Sequence, residues 1–271
     1  MERFISYAEY GEDLILHNVL KDIGDKIFWI DAGASDPWEY SVTQYFYLRG
    51  GTGINIEPRI EAFKDIEAYR PRDINVNCGV GDKAGTLKFC LEATSASEEV
   101  IKRYEKNGKK LEFREVPIRT LNSILEEYKI DCDIHLLKID VEGMELSVLK
   151  GLDLKKYRPW IMCIETCMDS QTDMMGQIEK LLNRNGYIAV LEDSINKWYL
   201  ANEHSDLQER FFGIEELKKN IDLHYVRRDE LIQKLLEWNL EGNAYYKLGK
   251  VLAGPFAPTV KFFLSFFGKK N

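Results

Sequence analysis

Five short runs between Ile27 and Gly186 are apolar almost without interruption, and each ends in a polar tip. They are Ile27–Asp31, Gly53–Glu57, Ile74–Cys78, Ile134–Asp140 and Trp160–Glu165, with segments of helical period between them. Strands without an alternating polar face are covered on both sides, the condition of a parallel sheet with crossover helices. Thr120 is placed to cap a helix carrying Leu121, Ile124, Leu125 and Tyr128 on one face. Met144, Val148, Leu149 and Leu152 form a second stripe that ends near Gly151, and a third helix over Met174–Arg184 stops at Asn185-Gly186. YIAVLED and INKWYLA then read as two more strands. The predicted fold class is α/β, a Rossmann-like seven-stranded sheet with helices on both faces. Gly85 to Pro117 reads as a hairpin-like insertion, its Lys102–Lys110 part solvated.

In an open parallel sheet ligands bind beyond the carboxyl ends of the strands, so the tips are the place to look for chemistry. The first tip is Asp31 followed by Ala32, Gly33, Ala34 and Ser35, small residues that let a ligand approach the backbone. The second is Glu57, placed as the acid that accepts ribose hydroxyls in dinucleotide folds. The third is a glycine-flanked turn, Cys78-Gly79-Val80, with Asp82 after it; the last two are Asp140 and Glu165. A single acid there commonly caps the next helix, but five polar tips in matching positions point to a shared cleft. The DAGAS turn lacks the full GxGxxG spacing, which disfavours NAD. An adenosine ligand without phosphates fits better, and S-adenosylmethionine is the economical candidate.

The blocks IDAGASDP, SVT, GINIEP, VPIRTLNSIL, LLKIDVEGMELSVLKGLDL, RPWIMCIET and INKWYLANEHSDL, in that order, resemble the FkbM family of S-adenosylmethionine-dependent O-methyltransferases. The likeness runs from about Ser6, through the lead-in SYAEYGEDLIL, to Phe212. It departs where the family often carries a GW pair, here Gly50-Gly51-Thr52. The resemblance implies a seven-stranded methyltransferase fold and methylation of a carbohydrate hydroxyl, on a surface glycan or a glycosylated metabolite. It implies that Asp31, Gly33, Ala34 and Ser35 form the cofactor turn, that Glu57 takes the ribose, and that Cys78, Gly79, Val80 and Asp82 lie near the adenine. Asp140 and Glu142 would face the reaction chamber, Asp140 touching cofactor as well. The alternative is a non-catalytic Rossmann-like module that binds a nucleotide or docks a glycosyltransferase.

A hydroxyl needs a proton acceptor within reach to become a good nucleophile. Of the four histidines, His204 lies in the polar block after the last strand and is one candidate base; Asp140 is the rival. Ser41, Thr43, Glu165, Asn196 and Tyr199 are candidates for contact with the acceptor. Asp140, Glu142 and Glu165 also have the hard oxygens that suit Mg²⁺, though a metal-free site is favoured.

Net charge of −8 argues against a nucleic-acid partner. The five cysteines, Cys78, Cys90, Cys132, Cys163 and Cys167, form no CxxC pair and read as reduced, in a cytoplasmic protein. MERFISYAEYGEDLIL carries early acids and no apolar core, so no secretory signal is expected. The expected domain spans residues 1–225, and residues 226–271 form a helical appendage with an aromatic tail. The tail is apolar over Leu252–Phe267, too short for a span of roughly 20 residues. Lys261, Lys269 and Lys270 beside its phenylalanines suit peripheral contact with the inner membrane face through residues 252–270; packing on the protein's own domain or in an oligomer is the other reading.

Overall fold

The computed structural model describes residues 3–108, 110–166, 172–193, 195–220 and 222–225. Residues 226–271, where the sequence places the appendage and tail, and Cys167 lie outside them. In chain order the elements are β1 (Arg3–Ser6), α1 (Glu12–Val19), β2 (Phe28–Ala32), α2 (Gln44–Leu48), β3 (Thr52–Ile56), α3 (Ile60–Tyr69), β4 (Ile74–Val76), β5 (Gly79–Val80), β6 (Gly85–Cys90) and α4 (Glu98–Lys106). Then come β7 (Phe113–Arg119), α5 (Leu121–Glu127), β8 (Leu136–Ile139), α6 (Glu145–Lys150), β9 (Ile161–Glu165), α7 (Thr172–Arg184), β10 (Tyr187–Glu192), β11 (Asn196–Ala201), α8 (Ile214–Asn220) and β12 (Asp222–Tyr225).

The main sheet has seven strands in the order β10-β11-β9-β8-β2-β3-β4. The pairs from β4 to β9 are parallel, whereas β11 runs antiparallel to both neighbours. From β2 the chain winds outward to β3 and β4, then returns to place β8 on the other side of β2. The reversal opens a crevice between β2 and β8 at their carboxyl ends. Leu121, Ile124 and Leu125 of α5, Val148 and Leu149 of α6, and Ile178 and Leu182 of α7 bury against Ile30, Ile54, Leu137 and Met162 of the sheet. Each such side chain contributes about 1.5–3 kcal/mol on burial. Thr120 caps α5 as its sequence position predicts, its hydroxyl oxygen accepting from Ser123 N–H at 3.1 Å.

Gly50-Gly51-Thr52, the departure from the GW pattern, has a packing reason. A Cβ at Gly51 would lie 2.9 Å from the buried ring of Trp29, and one at Gly53 would lie 2.4 Å from it. The indole on β2 takes the space that side chains would fill on β3. The insertion is built on the hairpin of β6 and β7, which pair from Gly85↔Ile118 to Cys90↔Phe113 and join β5 in a second sheet of order β5-β7-β6. Among the described residues no helix is long and apolar enough to cross a membrane.

Candidate functional site

The crevice between β2 and β8 opens into a cleft at the carboxyl ends of the strands. Gly33, directly after β2, has φ +86°, and a Cβ there would stand 1.8 Å from the Asp140 carbonyl oxygen. Only glycine lets these two strand ends approach so closely. Gly33 N–H and Ala34 N–H donate to the Ile56 carbonyl at 3.0 and 3.1 Å, and Ser35 N–H donates to Glu57 Oε2 at 2.9 Å. The turn after β2 is thereby strapped to the tip of β3. Of the residues the sequence nominates, Gly33, Ser35, Glu57, Cys78, Gly79, Val80, Asp140 and Glu142 line the cleft together.

The acids at the β8 side form a cluster. Oxygens of Asp140, Glu142 and Glu165 lie within 4.8 Å of one another, close enough to hold a cation. Lys138 Nζ bonds Asp140 Oδ2 at 2.9 Å and stands 3.7 Å from Asp31 Oδ1. Burial is the largest influence on the Asp140 carboxyl and would raise it. The Lys138 ammonium, hydrogen bonds from Glu165 and Lys138, and the Arg59 charge together outweigh burial and hold the group below its usual range. Glu165 goes the other way: burial, then the neighbouring Asp140 carboxylate, push it up to about 9. Burial and Asp140 also raise Glu142. The two shifts run in opposite directions, favouring an ionised Asp140 beside a protonated Glu165.

Several nominated residues are elsewhere. Asp31 is buried beneath the turn, accepting from Thr43 Oγ1 at 3.3 Å, and does not line the cleft. Thr43 and Ser41 are buried with Arg70, whose Nη2 donates to Thr43 Oγ1 at 3.0 Å, so they support the fold rather than reach an acceptor. Ala34 contributes only its strap to Ile56. Asp82 turns to Ser147, whose hydroxyl donates to Asp82 Oδ1 at 3.2 Å at an exposed position. Asn196 is buried and donates to Glu12 Oε1 at 3.1 Å. Tyr199 is fully buried in the main core with Met162 and Leu182.

His204 is corrected most sharply. Its ring stacks on Trp160 at 4.0 Å, and Trp160 precedes the first residue of β9. That is the amino edge of the sheet, roughly 16 Å of strand from Glu165. His204 has no place at the cleft, and Asp140 remains as the base candidate.

Sequence reasoning missed the opposite wall. Leu87 and Phe89 of β6, Ile118 of β7, and Thr94 and Ala96 after β6 line the cleft from the insertion. Ser95 fastens this wall to the tip of β8, its hydroxyl donating to the Glu142 carbonyl at 2.6 Å. Arg59 was missed too, although it follows Glu57 by two residues. The alternation of Leu87 and Phe89 was the available signal.

The model of the methyltransferase FkbM domain matches residues 31–189 of the 271, more than half of the chain. The chain is 31% identical over 139 residues to the methyltransferase sdnD of Sordaria araneosa, a match covering 41% of this chain and 52% of that protein. The chain thus spans about half the length of this curated relative. The crystal structure of the methyltransferase FkbM from Methylobacillus flagellatus has a TM-score of 0.45 at 19% identity, over 65% of this chain and 44% of that one. An O-methyltransferase from Bacillus cereus, solved in complex with SAH, has a TM-score of 0.35 at 11% identity, over 72% of this chain and 80% of that one. With the match of the domain model spanning the strands that build the cleft, the chain belongs to the FkbM methyltransferase family.

Proposed function

We propose that the cleft binds S-adenosylmethionine and that the protein transfers its methyl group to a hydroxyl of a carbohydrate. The observation that carries this reading is the union, at one topological switch point, of a cleft lined by the glycine turn, Glu57 and apolar side chains with a cluster of carboxyls. The Gly33–Ser35 turn and Glu57 would hold the ribose, while Cys78, Val80, Leu87, Phe89 and Ile118 supply an apolar slot for the adenine. The arginine in the lining, Arg59, is committed to Glu57 and Ser35, so the cleft suits a nucleoside without phosphates. Bound there, the cofactor supplies a methyl group activated by its sulfonium.

The chain's own task is to hold the acceptor and receive its proton. Asp140 is ionised, fixed by Lys138, and set at the tip of β8 where an acceptor hydroxyl can donate to it. Glu142 and Glu165 flank it and would bond adjacent hydroxyls, a pattern suited to a polyol ring. The reading favours a metal-free site, in which Lys138 is the cation set against Asp140.

Calorimetry of the full chain with S-adenosylmethionine and S-adenosylhomocysteine, set against NAD and UDP-sugars, tests the cofactor; indifference to both sulfur nucleosides would sink the reading. Transfer of labelled methyl to glycan acceptors, insensitive to excess chelator, tests the rest.

A further inference from the structure

Glu57 meets the cleft with its carboxylate already partly engaged. Oε1 accepts two hydrogen bonds, from Arg59 N–H at 2.9 Å and from Arg59 Nε–H at 2.8 Å. Oε2 accepts from Ser35 N–H at 2.9 Å, with Arg59 Nη2 more distant at 3.5 Å. Arg59 Nη2 is itself anchored by donation to Ser35 Oγ at 2.8 Å, so the guanidinium is tied at both ends. The Glu57 side chain is 3% exposed and that of Arg59 27%, and both line the cleft. A carboxylate oxygen has two lone pairs to offer, which leaves Oε1 filled and Oε2 with one good position.

We propose that Arg59 makes Glu57 a reader of one ribose hydroxyl rather than of the vicinal pair. A single hydroxyl donates to Oε2, while Oε1 stays with Arg59. The inference rests on the reading of the cleft as an adenosyl site, and it adds a specificity that the position of an acid at the tip of β3 does not itself imply. An acid with both oxygens open would grip both hydroxyls; this one is built to ignore one of them.

The test is titration of the full chain with S-adenosylhomocysteine and with its 2′-deoxy and 3′-deoxy analogues. One analogue should bind about tenfold or more weakly, having lost a bond to a charged acceptor, while the other stays within about threefold of the parent. Arg59→Ala opens a position on Oε1, so in that variant both analogues should fall behind the parent. Equal losses with both analogues in the unmodified protein, or a loss with neither, would overturn the proposal and leave the adenosyl reading standing. Failure of S-adenosylhomocysteine itself to bind would overturn both. The unmodified protein decides the matter even if the variant does not fold.

Discussion

The two walls of the cleft are built from different materials. The sheet wall consists of strand ends, with backbone straps between Gly33, Ser35 and Glu57 and a carboxyl cluster steadied by a buried lysine. The insertion wall is a small antiparallel sheet that offers Leu87, Phe89 and Ile118 and is fastened by the bond from Ser95 to the Glu142 carbonyl. Ionisable groups concentrate on the first wall and apolar area on the second. The division separates chemistry from affinity: a change on the sheet wall should act on the rate, and one on the insertion wall on binding.

Asp140→Asn gives the largest expected effect. The side chain keeps its shape but loses its power to take a proton, so kcat should fall by about 10²- to 10⁴-fold. Affinity for S-adenosylhomocysteine should stay within a few-fold of the parent. A variant that lost cofactor affinity and kept its turnover would invert the comparison.

Leu87→Ala is the counterpart. Leu87 is 37% exposed and lines the cleft, so its loss leaves the core alone and removes apolar area that the ligand would cover. Cofactor Kd should rise by up to about tenfold, the value of part of a leucine side chain, with kcat nearly unchanged. Should kcat fall while Kd stays put, the insertion would have a part in the chemistry and the division would fail.

The same contrast explains what could be read from the sequence. The sheet wall was legible because buried parallel strands leave continuous apolar runs whose polar ends stand out, as at Asp140 and Glu57. Glu165 was legible for the same reason. His204 misled because β11 is antiparallel: the end of that strand lies at the opposite edge from the tips of β2, β3, β8 and β9. Trp160 waits there to stack on the imidazole. Asp31, Ser41 and Thr43 sit near the cleft in sequence, but Arg70 and Lys138 draw them into a buried network, and no local pattern announces a partner on α3's far end or on β8. The insertion wall depends on the parallel pairing of β5 with β7, Gly79↔Ile118, which joins residues far apart in the chain. Periodicity shows that such strands have two faces, not what one of them looks into.

The subtlest difference between the walls is electrostatic, and Glu165→Gln exposes it. In the folded protein Glu165 keeps its proton to about pH 9, raised from an ordinary 4.5 first by burial and then by Asp140. The unfolded chain releases that proton at the ordinary value, so between these limits the native state binds more protons and its stability falls as pH rises. The slope from this group is at most about 1.4 kcal/mol per pH unit, or about 3–6 °C in Tm per pH unit for a domain of this size. Glutamine mimics the protonated acid and has nothing to release. The Tm of the variant should therefore gain on that of the parent as pH is raised from 6 towards 9. Asp140 does not blur the result, because its depressed carboxyl titrates below the window. Leu87→Ala, which removes no ionisable group, should shift Tm equally at every pH. Parallel curves for Glu165→Gln and its parent would mean that Glu165 is ionised in the native protein, with Asp140 and Glu165 repelling each other instead of sharing a proton.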